Sequence, residues 1–187
     1  MQALSKSTAK YSSQLIRPTA DRAREALFNI IGSEVENATV LDLYAGTGAL
    51  GLEALSRSAE QAVFVDKSQQ AVQLINKNIE LCGFSDRTLV YKWDLSKGLS
   101  YLVKKIPGTT FSIVFVDPPY RKGLSVDMLL KLAESELLFP GALVVVEEDA
   151  FMELPVQVAG LTLADQRRYG ETGFWFYRQS KLLQKSI

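Results

Sequence analysis

Five short apolar segments, which alternate with longer segments of helical periodicity, constrain the fold of this chain more than any other feature. The apolar segments span residues 39–43, 62–66, 88–92, 112–116 and 142–147, and each has the length of a buried strand. The segments 49–57, 68–82, 96–105 and 125–138 carry the spacing of amphipathic helices. Because buried strands that alternate with helices form parallel sheets with right-handed crossovers, the sequence predicts a doubly wound α/β fold.

Both ends of the chain extend this pattern. Near the start, Thr19 is expected to cap a helix that ends at Gly32, with an apolar stripe of Ala23, Ala26, Leu27, Ile30 and Ile31. Near the end, segments 161–168 and 173–178 flank a Tyr-Gly-Glu-Thr turn and predict an antiparallel hairpin at one edge of the sheet. The five parallel strands and this hairpin together give a mostly parallel, seven-stranded sheet.

The length and composition indicate one globular domain. A chain of 187 residues with 47% hydrophobic and 22% charged residues is expected to bury a core, and no Pro/Gly/Ser linker divides it. We expect a polar, basic extension over residues 1–16 and a single domain over residues 17–187. The polar start, the lack of a long apolar run and the single cysteine favour a cytoplasmic protein, which we expect to be a monomer. Cys82 lies on the apolar face of a predicted helix and is expected to pack there.

The chain contains no histidine, which removes many kinds of active site. Serine or cysteine nucleophiles paired with histidine, and the common zinc spacings, are excluded, so we expect no metal. The net charge is zero, yet residues 1–24 hold five Lys/Arg against one acid, and residues 165–187 hold five against two. The ends are therefore basic (+4 and +3) around a middle of −7, a distribution that fits a nucleic-acid partner or solvated termini.

A glycine loop between the first strand and the next helix predicts a cofactor site. Residues 42–54 read DLYAGTGALGLEA and place Gly46, Gly48 and Gly51 in the G-x-G-x-x-G spacing. In this strand-to-helix context, such a loop lets the backbone approach a ligand at a helix N-terminus. The loop alone fits either a dinucleotide or S-adenosylmethionine.

Three carboxylates refine this prediction. Asp42 ends the first strand, where it would repel a pyrophosphate and attract the ammonium and sulfonium groups of S-adenosylmethionine. Asp66 ends the second strand, where it can accept hydrogen bonds from both ribose hydroxyls. Asp94 follows the third strand beside Trp93 and can accept a hydrogen bond from the adenine amino group, although it can also simply cap a helix.

The fourth strand ends in Asp117, Pro118, Pro119 and Tyr120. Two consecutive prolines cannot extend a strand ladder, so they hold a rigid turn at the carboxyl edge of the sheet. An aromatic ring, a carboxylate and exposed carbonyl groups are thereby brought together next to the glycine loop. This arrangement suits a planar base with an amino group: Tyr120 would stack on the ring, while Asp117 and the Pro118 carbonyl would orient the amine.

These motifs resemble those of the class I methyltransferases that modify exocyclic or amide nitrogens. More narrowly, the chain resembles the bacterial 16S rRNA guanine-N2 methyltransferase (RsmD) family over residues 17–178. The resemblance rests on four segments, RPTADRAREALFNIIG, DLYAGTGALGLEALSR, VDPPYRKG and YGETGFWFY. Family members usually start with a glycine- and arginine-rich GGxxxGRxL segment, whereas this chain starts with MQALSKSTAKYSSQLI. We therefore expect weak activity on naked RNA and better activity on an assembling small subunit.

The resemblance implies an S-adenosylmethionine-dependent enzyme that methylates the N2 amine of a guanine in 16S ribosomal RNA, without a covalent enzyme intermediate. The implied cofactor residues are Asp42, Tyr44, Ala45, Gly46, Gly48, Asp66, Lys67, Asp94 and Leu95. The implied catalytic residues are Asp117, Pro118, Pro119 and Tyr120. Residues implied or expected to contact RNA are Arg17, Thr19, Asp21, Arg22, Arg121, Lys122, Arg167 and Arg168. Four rival functions stay open: methylation of DNA adenine, methylation of a protein glutamine, a nicotinamide oxidoreductase and a non-catalytic RNA-binding protein.

Overall fold

An eight-stranded sheet with helices on both faces forms the body of the protein in its computed structural model, which describes residues 18–119 and 123–180. The strands are β1 (Thr39–Leu43), β2 (Gln61–Asp66), β3 (Thr88–Lys92), β4 (Phe111–Val116), β5 (Leu138–Asp149), β6 (Gln157–Val158), β7 (Leu161–Tyr169) and β8 (Thr172–Gln179). The helices are α1 (Pro18–Ile31), α2 (Ala49–Ser56), α3 (Gln69–Cys82), α4 (Ser100–Lys105) and α5 (Leu124–Ala133).

The order of the strands confirms the predicted doubly wound α/β fold. Across the sheet the order is β3-β2-β1-β4-β5-β8-β7-β6, with β1 to β5 parallel and the last three strands antiparallel. The described part has one strand more than the predicted seven, because the two-residue β6 pairs with the start of β7. The strand order reverses at β1, because β2 and β3 lie on one side of it and β4 and β5 on the other. In open sheets of this kind, ligands bind in the crevice between the two strands at the reversal, here β1 and β4.

Each face of the sheet buries its own apolar cluster. On the first face, which we name the α1 face, helices α1, α2 and α3 pack on Val40, Phe64, Phe115, Val145 and Phe176. On the opposite face, the α5 face, helices α4 and α5 pack on Leu41, Val65, Val116, Val146 and Trp175. Because neighbouring strand residues point to opposite faces, these clusters fix the face to which each residue at a strand end belongs.

Two predictions about helix faces were wrong. In α1, Ile30 is 37% exposed, whereas Phe28 is buried. The centroid of the Phe28 ring lies 5.6 Å from that of the Phe115 ring. In α3, Ile75 and Ile79 are buried, but Cys82 is exposed because the helix ends there and Gly83 turns the chain away. α1 also begins at Pro18, one residue before its predicted cap. Among the described helices, none has the length and apolar content that a membrane crossing requires.

Two predicted helices have different bounds. The predicted helix over residues 96–105 is a 3-10 turn (Leu95–Lys97) followed by α4, because Gly98 has a φ of 87° between them. The predicted helix over residues 125–138 ends at Ala133, because Leu138 pairs with Phe111 in the sheet. Both differences come from contacts or backbone angles that helical periodicity alone does not encode.

Candidate active site

A cavity of about 660 Å³ opens at the carboxyl edge of the parallel strands, beside the crevice between β1 and β4. Its lining residues are Tyr44, Asp66, Lys67, Trp93, Asp94, Leu95, Ser96, Asp117, Pro118, Pro119 and Leu124. The volume is within the range of about 300–1,000 Å³ that is typical of small-molecule sites. The cavity thus contains residues from both the predicted cofactor site and the predicted catalytic turn.

Two carboxylates on neighbouring strands hold the glycine loop. Asp66 accepts a hydrogen bond from the Gly46 amide at 3.0 Å through Oδ2, and another from the Ser68 amide at 2.8 Å through Oδ1. Asp42 accepts a hydrogen bond from the Gly51 amide at 2.9 Å. The start of the loop is therefore attached to β2 and its end to β1.

The backbone of the loop explains why a glycine and a strained residue occur in it. A methyl group on Gly51 would overlap the Phe64 ring, so helix α2 can approach the sheet closely only with glycine there. Tyr44 has a φ of 60°, which is uncommon for a residue with a side chain and is found most often at functional sites. Burial, together with the charges of Asp127 and Asp94, raises the pKa of the Tyr44 hydroxyl to about 12.

Asp42 lies beneath the loop and does not line the cavity. Its side chain is 1% exposed, and its carboxylate contacts the Gly51 amide. The pKa of Asp42 is raised to about 7, chiefly by burial and also by the charges of Asp66 and Glu147, against the lowering effect of the Gly51 hydrogen bond. Its predicted attraction to a sulfonium group stays a prediction, and the structure gives it a second role in supporting the loop.

Five of the nine predicted cofactor residues line the cavity, and four do not. Those that line it are Tyr44, Asp66, Lys67, Asp94 and Leu95, whereas Asp42, Ala45, Gly46 and Gly48 lie outside its lining. Asp94 accepts hydrogen bonds from the Ser96 amide and hydroxyl, at 3.1 and 2.8 Å, and these bonds lower its pKa. It therefore caps the turn that follows β3 and also lines the cavity.

An aromatic wall on the α5 face of the cavity was not among the predicted site residues. The Trp93 ring stacks on the Tyr101 ring, with the two ring centroids 4.2 Å apart and an interplanar angle of 9°. The Trp93 Nε1 donates a hydrogen bond to the Gly98 carbonyl at 2.9 Å. Ser96 and Leu124 complete the set of lining residues that the sequence did not single out. The positions of Trp93 and Ser96 directly after β3 are the only sequence signal that could have identified them.

Asp117 and the two prolines stand where the sequence places them, at the end of β4. The Asp117 amide donates to the Leu43 carbonyl of β1 at 3.4 Å. The pKa of Asp117 is raised to about 8, chiefly by burial and also by the charges of Glu147, Asp42 and Glu148. Pro118 and Pro119 line the cavity, whereas Tyr120 lies outside the described residues.

The residues predicted to contact RNA are separated by the fold. Asp21 and Arg22 are exposed in the first turn of α1, where Asp21 accepts a hydrogen bond from Arg24 at 3.0 Å. Arg167 and Arg168 are exposed on β7. Arg17, Arg121 and Lys122, together with the side chain of Thr19, lie outside the described residues.

The described residues fit the predicted cofactor better than a metal ion. Within residues 18–119 and 123–180, no group of acidic or cysteine side chains has an arrangement that could hold a metal. The cavity lining contains three carboxylates, from Asp66, Asp94 and Asp117, and one lysine. A lining with more acids than bases favours a cationic ligand over one that carries phosphates.

Comparison with known proteins agrees with the resemblance in sequence. Residues 3–178 match the family described as Conserved hypothetical protein 95. The chain is 36% identical over 164 residues to ribosomal RNA small subunit methyltransferase D of Escherichia coli, which covers 88% of this chain and 80% of that protein. It is 29% identical over 169 residues to the Haemophilus influenzae protein of the same name, covering 89% and 85% of the two chains.

Solved structures share the fold. A conserved hypothetical protein from Streptococcus pyogenes superimposes with a TM-score of 0.75 and 33% identity, over 84% of this chain and 95% of that one. An RNA methyltransferase from Salinibacter ruber in complex with S-adenosyl-L-homocysteine has the same fold, with a TM-score of 0.64 and 15% identity over 89% and 95% of the chains. With its sequence matched almost throughout, this chain belongs to the Conserved hypothetical protein 95 family, the family of the ribosomal RNA small subunit methyltransferases D.

Proposed function

We propose that this protein is an S-adenosylmethionine-dependent methyltransferase that modifies the exocyclic N2 amine of a guanine in 16S ribosomal RNA. One observation carries the proposal: the carboxylates suited to an adenosine and the Asp117-Pro118-Pro119 turn line one cavity. A cofactor in this cavity would therefore lie next to the turn that holds the amine. The rRNA substrate named for the Escherichia coli relative supports the choice of acceptor.

The lining residues divide between the two ends of the cofactor. Asp66 would accept the ribose hydroxyls, since each of its oxygens accepts one amide hydrogen bond within the described part of the chain and has capacity for another. Trp93, Leu95 and Leu124 would enclose the adenine, with Asp94 at its amino group. When bound, S-adenosylmethionine supplies a methyl group on a positively charged sulfur, and the chemistry of transfer is its own.

Asp117 would both orient the amine and receive its proton. Its carboxyl group, with the Pro118 carbonyl, accepts the two amine hydrogens and directs the nitrogen lone pair toward the methyl carbon. Once methylated, the amine nitrogen would carry an excess proton, which Asp117 would take directly or through water. The raised pKa makes the ionised Asp117 a stronger base, and the positive charge of a bound cofactor would favour this ionised form.

Nucleoside analysis tests the acceptor. The purified protein, labelled S-adenosylmethionine and either 16S rRNA or small-subunit particles from cells that lack the gene should yield labelled N2-methylguanosine after digestion. We expect more label in particles than in naked RNA. Label in N6-methyladenine or in protein, with none in N2-methylguanosine, would show a different acceptor. Tight binding of NAD without binding of S-adenosylhomocysteine would contradict the methyltransferase assignment itself.

A further inference from the structure

The cofactor cavity lies over the carboxyl ends of β1, β2 and β3, and part of its lining continues the apolar cluster of the α5 face. Leu95, which lines it, is buried in the same apolar cluster as Leu102 of α4 and Leu129 of α5. Leu124, another lining residue, is the first residue of α5. The adenosine proposed for this cavity would therefore lie over the half of the sheet that β1, β2 and β3 form.

Side chains on the opposite, α1 face form a row across four strands. Val116 and Val146 are paired in register, and both point to the α5 face. Because successive residues alternate between faces, the residues that follow them, Asp117 and Glu147, belong to the α1 face. Glu147 is paired with Phe174 of β8, and Phe174 with Arg167 of β7. Because directly paired residues project to the same face, Arg167 shares the face of Asp117, roughly three strand spacings or 14 Å away.

Arg168 projects to the other face. It is paired with Gly173, and Gly173 is paired with Glu148 of β5. Glu148 accepts a hydrogen bond from the Ser125 hydroxyl of α5 at 2.8 Å, which places this row on the α5 face. The two adjacent arginines of β7 thus lie on opposite sides of the sheet.

The Arg167 side chain is accessible at the edge where the cavity opens. It is 55% exposed, and its guanidinium contacts the Asp165 carboxylate at 3.0 Å. Exposed ion pairs of this kind contribute little, so a phosphate can replace Asp165 as the partner. Helix α1, which carries the exposed Arg22, packs on the same face through Ala23 and Leu27.

We propose that the RNA reaches the acceptor site across the α1 face, and that Arg167 binds a phosphate of the strand next to the target nucleotide while Arg168 does not. This inference rests on the proposed function, because it takes Asp117 as the position of the target amine. RNA and cofactor would then meet at Asp117 from opposite halves of the sheet edge, the cofactor over β1, β2 and β3 and the RNA over β5, β8 and β7. The interaction with Arg167 would fix the path of the strand.

Alanine variants of three arginines test the assignment. Arg167→Ala should raise the KM for RNA about fivefold to tenfold and reduce the log-log salt slope of RNA binding by about 0.7, the value for one single-strand phosphate. Arg178→Ala is the matched control: Arg178 is also exposed, ion-paired to Glu34 and on the α1 face, but at the amino edge of the sheet. Arg178→Ala should keep the KM for RNA within about twofold of the wild-type value, although it removes the same charge as Arg167→Ala.

Arg168→Ala separates the two faces, because it removes a neighbouring charge on the other side of the sheet. It should change KM and the salt slope much less than Arg167→Ala. Asp165→Asn should lower the KM for RNA by about twofold to threefold, because it removes the carboxylate that competes with phosphate. For all four variants, kcat and the affinity for S-adenosylhomocysteine should stay within about twofold of the wild type.

The outcomes distinguish this inference from the proposed function. Equal effects of Arg167→Ala and Arg168→Ala, or a larger effect of Arg168→Ala, would overturn the inference even if the wild type methylates RNA normally. If the wild type transfers no methyl group to RNA, the proposed function fails. The salt slopes of binding to a single-stranded 16S fragment, measured by fluorescence anisotropy, would then still decide which arginine contacts RNA.

Discussion

At the scale of single residues, Asp42 combines an observed role in supporting the glycine loop with a predicted role toward the cofactor. The sequence predicts that it attracts the sulfonium group, but the structure buries it against the Gly51 amide, outside the lining of the cavity. The two roles differ in what they require. Support of the loop needs a hydrogen-bond acceptor at this position, whereas attraction of a sulfonium needs a negative charge.

Substitutions of Asp42 separate these roles. Asp42→Asn keeps an oxygen acceptor and should preserve binding of both S-adenosylmethionine and S-adenosylhomocysteine within about twofold. Asp42→Ala should weaken both by about tenfold, because an unsatisfied buried amide costs about 1–3 kcal/mol. Titration calorimetry with the two ligands measures this. If Asp42→Asn weakens only the cationic S-adenosylmethionine, the charge itself binds the sulfonium group.

Asp117 gives the second prediction at this scale. Asp117→Ala should lower kcat by about 10²- to 10⁴-fold, the usual contribution of a positioned acid–base group, with cofactor affinity within a few fold. Asp117→Asn should retain more of the RNA affinity, because its amide oxygen still accepts from the amine. Single-turnover kinetics and calorimetry measure the two quantities separately. Parallel losses of turnover and cofactor affinity would mean that Asp117 serves the cofactor or the fold.

At the scale of elements, the segment between β4 and α5 is attached at both ends. Its first residue, Asp117, donates its amide to β1, and Ser125 near its last residue donates its hydroxyl to the Glu148 carboxylate of β5 at 2.8 Å. Ser125 and Glu148 are 1% and 2% exposed, so water does not replace this hydrogen bond. The described ends of the segment that carries the predicted catalytic turn are therefore held by the two strands beside β4.

Removal of the Ser125 hydroxyl should destabilise the fold. Ser125→Ala leaves one oxygen of a buried carboxylate without this donor, and we expect the free energy of unfolding to fall by about 1–3 kcal/mol. Ser56→Ala is the control, because the Ser56 hydroxyl donates to the Glu53 carbonyl at 2.7 Å on an exposed helix surface. It should change stability by about 0.5 kcal/mol or less. Urea denaturation compares the two, and equal effects would contradict the role of Ser125.

The elements themselves were largely predictable, because each parallel strand is a short apolar run and each glycine or proline boundary is local. The start of β5 at Leu138 was not, since it depends on pairing with Phe111, which is distant in the sequence. Nor were the faces of the two arginines of β7 predictable. A shift of register between Leu163 and Asp165 changes which residues point to each side of the sheet, and periodicity does not show such a shift.

The candidate site was predictable where it depends on the ends of strands. Asp66, Asp94 and Asp117 all line the cavity, as expected of residues that follow parallel strands. The aromatic wall at Trp93 was not predicted as part of the site, because the stack with Tyr101 forms only once α4 folds back on β3. The burial of Asp42 was also missed, since it depends on the close approach of α2 that Gly51 permits.

At the scale of the whole molecule, two buried acids connect stability to pH. The pKa of Asp42 is raised from 3.8 to about 7, and that of Asp117 from 3.8 to about 8. Between about pH 4 and pH 8, the folded state therefore binds more protons than the unfolded state. Stability should therefore fall as pH rises from about 4 to 8, by an amount on the order of 4 kcal/mol for Asp42 alone. The lowered pKa of Asp94 acts only below this range.

Thermal unfolding without cofactor, measured from pH 5 to 8.5, tests this dependence. We expect Tm to decrease across the range in the wild type and to decrease less in Asp42→Asn, which cannot lose a proton there. Saturating S-adenosylmethionine should flatten the curve, because a bound cation stabilises the ionised acids. A Tm that rises from pH 5 to 8.5 would show that these two acids do not control stability.

The two halves of the sheet edge also have a consequence for the order in which ligands come and go. Since the cavity lies over β1, β2 and β3, and the row that ends at Arg167 crosses β5, β8 and β7, cofactor and RNA need not share an entrance. Neither ligand then blocks the departure of the other. Product inhibition by S-adenosylhomocysteine should be competitive with S-adenosylmethionine and non-competitive with RNA, and spent cofactor can be exchanged while the ribosomal particle stays bound.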